Sequence, residues 1–202
     1  MMLAVVCYTV GTAAAADNCS FVVSGTTMML QGDCTADSGI GVPNGFTLNG
    51  NNLVLTLVDP PGGHFKGAGV FDLGPVANVI NLTITTSNLM NVCDGGVDRL
   101  RGILFEGASG RISNNNVLNI NQVASGCQES NAIEVRNAPF DGTHPNTQTV
   151  EITMNTITGY QKTGIVDYGA GNTVTNNKVR GYVLPYDGVS VGRNKVIPSP
   201  RD

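Results

Sequence analysis

Glu106, Glu134, Arg136 and Lys162 are the side chains with which this chain could attempt chemistry. The first three lie in or just after the short apolar runs Gly102-Ile103-Leu104-Phe105 and Ala132-Ile133-Glu134-Val135, and Lys162 comes just before a third, Gly164-Ile165-Val166-Asp167. If these runs are strands, successive side chains point to opposite faces. Alternation then sends Asp72, Leu104, Glu134, Val166 and Ser190 outward in one column, and Glu106, Arg136 and Tyr168 in the next. Cleaving a glycosidic bond takes two carboxylates, about 5 Å or 6.5–9.5 Å apart, one as acid and one as nucleophile or base. Glu106 and Glu134, two positions apart on adjacent strands, allow such a separation. A lyase or epimerase would instead neutralise a uronate carboxylate and use a base, roles open to Arg136 and Lys162. Asp72, Tyr168 and Gln128 are the flanking candidates for substrate contact. The plainer reading, which we favour from the sequence, is a surface ion-pair ladder with Glu106 stacked on Arg136.

Other chemistry has thinner support. Asp94 and Asp98, in a glycine-rich loop, could offer oxygen ligands to calcium, although two such carboxylates are ordinarily a solvated turn. No other metal is suggested, because the chain has no C-x-x-C motif and no Cys/His cluster. His64 and His144 each stand alone in a loop, without a neighbouring nucleophile motif. Tyr160, Tyr168, Tyr182 and Tyr186 suit a sugar-stacking surface and coil-edge packing equally. Ser113, Thr153 and Thr175 align as a single hydroxyl column, short of the flat two-column Thr array that an ice-binding face would require.

A repeat must hold these residues in place. The segment 152–160, Ile-Thr-Met-Asn-Thr-Ile-Thr-Gly-Tyr, matches 174–182, Val-Thr-Asn-Asn-Lys-Val-Arg-Gly-Tyr, at an offset of 22 residues, and 112–117 shares its core. The apolar runs at 103 and 165 each precede such a segment by nine residues, with Gly188-Val189-Ser190-Val191 and Phe71-Asp72-Leu73 in the same series. Short alternating runs broken by Gly, Asn and Asp, with no helical period, predict stacked strands. A single turn cannot bury its inward Ile, Val and Phe; stacked turns can, which is the logic of a solenoid. The alignment puts Asn115, Asn155 and Asn177 at one corner of successive coils, where each amide can bond its neighbours above and below.

On these residues the chain resembles the right-handed parallel β-helix repeat proteins of the pectate-lyase-like group, including secreted bacterial members of unassigned function. The resemblance covers roughly residues 25–196 and implies an all-β, right-handed, single-stranded parallel β-helix of about six to seven coils. In that group the outer strand face and its loops commonly carry a carbohydrate-binding cleft. The Arg/Pro signature of pectate lyases and the dense Asp clusters of polygalacturonases are absent, which weakens the enzyme expectation.

Composition sets the remaining bounds. Only 13% of the 202 residues are charged and the net charge is −4, too few clustered cations for nucleic-acid binding. With 41% hydrophobic residues in patterned runs, the chain is no disordered segment. Residues 1–16 are uncharged and end in four alanines, which reads as a signal peptide, possessing no basic start, ahead of a 17–202 domain. Its removal takes Cys7 and leaves Cys19, Cys34, Cys93 and Cys127, an even count that suits disulfides in an oxidising compartment. Three pairings are possible; Cys19–Cys34 with Cys93–Cys127 is favoured, because the repeat brings the second pair into neighbouring layers. The last residues, Ile-Pro-Ser-Pro-Arg-Asp, offer no helix to cover the final coil, so an oligomer, a capping partner or a larger surface protein is anticipated. The expectation is a secreted, non-catalytic glycan-binding or structural module without cofactor or membrane span, and alternatively a polysaccharide lyase, epimerase or hydrolase.

Overall fold

The computed structural model describes residues 17–122, 126–138, 148–168, 172–180, 184–188 and 194–196. The proposed leader at 1–16, His144, Tyr182 and Ser190 lie outside them. In chain order the strands are β1 (Phe21–Ser24), β2 (Thr27–Leu30), β3 (Cys34–Ala36), β4 (Ile40–Val42), β5 (Phe46–Asn49), β6 (Val54–Leu57), β7 (Ala68–Asp72), β8 (Val76–Ile80), β9 (Thr83–Thr86), β10 (Arg101–Glu106), β11 (Ser109–Ser113), β12 (Asn116–Ile120), β13 (Asn131–Arg136), β14 (Val150–Thr153), β15 (Thr156–Tyr160), β16 (Thr163–Asp167), β17 (Thr173–Thr175), β18 (Lys178–Arg180), β19 (Leu184–Gly188) and β20 (Lys195–Val196). One 3₁₀ turn, Gly96–Asp98, precedes β10, and the described residues contain no α-helix.

The chain visits three sheets in turn, so spatial neighbours are every third strand. The first sheet runs β1-β2-β5-β8-β11-β14-β17, the second β3-β6-β9-β12-β15-β18-β20, and the third β4-β7-β10-β13-β16-β19. All pairings are parallel except β1 with β2. The result is a solenoid-like stack of parallel sheets, consistent with a β-helix.

Inward residues make the core by stacking on their own kind. Leu48, Val79, Ile112, Ile152 and Val174 are in register along the first sheet. Leu55, Ile84, Val117, Ile157 and Val179 line the second, and Val70, Ile103, Ile133 and Ile165 the third. Each of these is at most 2% exposed. Burying a Val, Leu or Ile side chain stabilises by roughly 1.5–3 kcal/mol, and no single turn could achieve that alone.

The corner between the first two sheets carries the amides. Asn115 Nδ2 donates to Asn155 Oδ1 (3.0 Å), Asn155 Nδ2 to Asn177 Oδ1 (2.9 Å) and Asn177 Nδ2 to Asn194 Oδ1 (3.0 Å). Each Oδ1 also accepts the backbone N–H of the Asn before it, and each Nδ2 also donates to a carbonyl: Val79, Ile112, Ile152 and Val174 for Asn115, Asn155, Asn177 and Asn194. Leu82 occupies the equivalent corner on the preceding turn and donates only its N–H, to Asn115 Oδ1 (3.0 Å). The residue before each corner position is left-handed: Asn81, Asn114, Met154 and Asn176 have φ of 54–59°. Three are Asn, whose short side chain tolerates that conformation; Met154 is the exception.

Three details depart from the sequence expectation. Strands β1 and β2 form an antiparallel hairpin across Gly25 (φ 57°), laid against the first turn, and no repeat announces a hairpin that occurs once. In the third sheet Leu104 pairs with Phe71, so Asp72 falls out of the outward column. The following run of that sheet is β19, with Asp187 opposite Val166, rather than the 188–191 segment. Register steps along this sheet are therefore 33, 30, 32 and 21 residues.

The cysteines are paired as Cys19–Cys34 and Cys93–Cys127. The first ties the segment before β1 to β3. The second joins the loop before β10 to the loop before β13, one turn apart.

Candidate functional site

The third sheet's outer face holds the charged candidates. Its main column reads Phe71, Leu104, Glu134 and Val166, and the next has Glu106 beside Arg136. Glu134 does not reach solvent: it is 2% exposed. Arg101 arches across it, with Nε 2.7 Å from Glu134 Oε2, while Arg101 Nη1 and Nη2 donate to the carbonyls of Arg99 (2.8 Å), just after the 3₁₀ turn, and Gly96 (3.0 Å) within it. Asn131 Nδ2 donates to Glu134 Oε2 (2.8 Å), and Arg136 Nη1 to Oε1 (3.1 Å). Burial works to push the Glu134 carboxyl up, but Arg101, Asn131 and Arg136 together hold it below the usual carboxylate range. Burial likewise draws the Arg101 guanidinium down from its ordinary value, against the pull of Glu134. The structure thus places Glu134 inside an ion-pair network, away from solvent, with Glu106 at its accessible end.

Arg136 joins this network to the surface. Its Nε donates to Glu106 Oε2 (2.7 Å), and its Nη2 contacts the same oxygen. Glu106 is the accessible end, with about a third of its side chain exposed (35%). Its backbone N–H donates to Asp72 Oδ1 (2.6 Å), so Asp72 turns to the end of the sheet, next to Glu106, instead of standing in the outward column.

Between these groups lies a cleft of about 480 Å³, floored by Phe71 and Leu104 and bordered by Asp72, Glu106 and Lys66. Gly39 lets the neighbouring turn approach this floor, since a Cβ there would stand 2.9 Å from Phe71 Cε1 and 2.3 Å from the Ala68 carbonyl oxygen. Lys66 Nζ is 2.9 Å from Asp98 Oδ2. Burial, and secondarily the Glu106 charge, raise the Asp72 pKa above its ordinary value, although the Glu106 N–H pulls the other way.

The remaining candidates lie elsewhere. Lys162 Nζ is 3.6 Å from Glu129 Oε2, an oxygen that also accepts from Arg99 Nε (2.9 Å); this ion cluster belongs to the loops flanking the sheet. Gln128 is exposed next to the Cys93–Cys127 disulfide, and Tyr168 is half-buried with its N–H donated to Val135. Tyr160 is a core residue, 1% exposed, and so leaves the proposed stacking surface. Asp94 and Asp98 take separate partners: Asp94 has Gln122 Nε2 (2.6 Å) and His64 Nε2 (3.0 Å), whereas Asp98 has Lys66. His64 is therefore not isolated, as its loop position suggested. Among the described residues no group of three or more His, Cys, Asp or Glu could hold a metal ion. Ser113 and Thr153 are buried, but the second sheet's outer face does carry two hydroxyl columns, Thr35-Thr56-Thr85 and Thr83-Asn116-Thr156. Asn116 and Leu118 interrupt that array.

Sequence reasoning missed Arg101, Asn131, Phe71 and Lys66. Simple alternation from Ile103 would turn Arg101 inward. A Cβ on Gly102, however, would meet Val117 and Ile120, and one on Gly69 would meet Leu57 and Ile84, all core residues of the second sheet. Two successive positions therefore face inward at this corner, the first limited to a very small residue, and Arg101 is rotated out. The run of Gly or Ala at 69, 102, 132 and 164 was the available signal.

No family model matches the chain, and neither a curated protein nor a solved structure does.

Proposed function

We propose that this chain is an exported right-handed parallel β-helix of six to seven coils that binds an extracellular glycan at the outer face of its third sheet, without turning it over. The observation that carries the reading is the cleft beside Phe71, Leu104, Asp72 and Glu106: a concave site with an apolar floor and few polar groups, on a rigid scaffold. Rigidity comes from the Arg101–Glu134–Arg136–Glu106 chain of ion pairs, which fixes the site's charged border before any ligand arrives. Two disulfides suit an oxidising, extracellular setting, and no described helix is long and apolar enough to cross a membrane. The test is retention on a glycan array, combined with assays for reducing ends and unsaturated products on neutral and uronate polysaccharides. Retention without turnover is the expected result; no retention on any glycan would refute it.

One observation favours a second reading. Asp72 and Glu106 are two carboxylates lining one cleft, and burial raises the pKa of Asp72, as suits the acid of a glycosidase pair. Under that reading polysaccharide hydrolysis would vanish in both Asp72→Asn and Glu106→Gln.

A further inference from the structure

The cations around the cleft are already engaged. Lys66 is paired with Asp98, Arg136 with Glu106 and Glu134, and Arg101 with Glu134. Asp72 is different: it is half-buried, it accepts the Glu106 backbone N–H, and no cation pairs with it among the described residues. Taking a carboxylate partly out of water without a counter-charge is costly, and a ligand cation would offset that cost. It lies beside an aromatic ring, Phe71, in the same cleft, and ring faces attract ammonium groups. An added uronate carboxylate, by contrast, would meet Asp72 and Glu106 and find every neighbouring guanidinium occupied.

We propose that the cleft selects an ammonium-bearing sugar, an N-deacetylated amino sugar, with Asp72 as its counter-charge and Phe71 as the ring against which it rests. This rests on the glycan-binding reading above and sharpens it to a ligand class. Burial, with the nearby Glu106 charge adding to it, raises the Asp72 pKa, and a bound ammonium group would bring it down. A lysine side chain carries the same cation, but the open cleft flanked by hydrogen-bonding carboxylates suits a hydroxyl-rich ring better than a flexible methylene stem.

The experiment is calorimetric titration of the full chain with a glucosamine oligomer, its N-acetylated counterpart, an oligogalacturonate and a lysine-rich peptide. The buffer is mildly acidic, leaving the amine protonated. The glucosamine oligomer should bind at least about tenfold more tightly than the acetylated one, the scale of one charge-assisted contact. Asp72→Asn should abolish that preference, since the amide oxygen can still accept the Glu106 N–H while the charge is gone. Phe71→Leu should weaken the glucosamine oligomer with the floor still apolar. Equal binding of both oligomers, or tighter binding of galacturonate, overturns the ammonium inference and leaves the glycan reading standing. Tighter binding of the peptide also overturns it. Silence from every oligosaccharide also overturns the ammonium inference, and the glycan array then decides the broader reading. The comparison of the two oligomers needs no variant, so a misfolded Asp72→Asn protein would still leave the inference decidable.

Discussion

The amide corner and the Arg101–Glu134 pair solve one problem, polar groups out of water, by opposite means. At the corner the groups are neutral, each amide bonds both an amide of the next turn and a carbonyl, and the pattern recurs from Asn115 to Asn194. On the third sheet the groups are charged, occur once, and depend on a 3₁₀ turn from outside the repeat to supply carbonyls. A neutral ladder can lose one member and keep the remainder. A buried ion pair that loses one member leaves a charge with no counterpart, which is far more expensive than a missing hydrogen bond.

The largest expected effect follows directly. Glu134→Ala strands Arg101, 1% exposed, and should cost about 3–5 kcal/mol in urea unfolding. Replacing both partners by apolar residues, Arg101→Met with Glu134→Leu, should recover most of that loss; if the double variant is as unstable as the single one, the stranded charge is not the cause. The pH dependence has a defined sign. Because the folded Glu134 carboxyl lies below its unfolded value, its contribution is present above the ordinary carboxylate range and is lost as pH falls through the folded value. The double apolar variant should lack that part of the acid limb.

Breaking the corner comes next. Asn155→Ala deprives Asn115 of an acceptor for its N–H and the Ile112 carbonyl of its amide donor, an expected loss of about 2–3 kcal/mol. A loss as great as that of Glu134→Ala would contradict the contrast drawn between the two regions.

Two substitutions should stabilise, and they show where the fold tolerates discord. Tyr160 buries its hydroxyl with no hydrogen-bond partner among the described residues, and burial pushes its pKa up to about 12. Tyr160→Phe should therefore gain about 1 kcal/mol. The folded pKa exceeds the unfolded one, so the wild type should lose stability between the ordinary phenol value, 10.0, and about 12, and the variant should not. A lowered midpoint in Tyr160→Phe would show that the hydroxyl has a partner. At the corner, Met154→Asn places at φ 57° the residue type found at 81, 114 and 176, and thermal melting should report a gain on the order of 1 kcal/mol.

The contrast also explains what could be read from the chain. Asn115, Asn155 and Asn177 were legible because the repeat keeps them at one offset from an inward Ile or Val, and both disulfides followed once Cys93 and Cys127 fell on adjacent turns. Asn194 escaped because too little of the motif surrounds it. Arg101 escaped because strict alternation fails where Gly102 turns inward, a consequence of sheet packing that no local period encodes. Glu134 was correctly placed on the outward column, yet the turn that buries it lies 36–38 residues earlier, outside the repeat. Periodic features are overdetermined by sequence. A site assembled once from loops is not.

Arg111 and Glu151 provide the smallest effect and the cleanest control. They are also an arginine and a glutamate on adjacent strands, directly in register, with Nε 2.8 Å from Oε2, a geometry close to that of Arg101 and Glu134 at 2.7 Å. Distance alone would make the two pairs equivalent. Their side chains, however, are 57% and 43% exposed, against 1% and 3%. Water already solvates both exposed ions, salt screens them, and ordering two long side chains offsets much of the attraction. Arg111→Ala should therefore change the unfolding midpoint by less than about 0.5 kcal/mol, and added salt should diminish even that. If it destabilised as severely as Glu134→Ala, ion pairing itself would be what holds these sheets, and burial would have to be abandoned as the variable that separates the two regions.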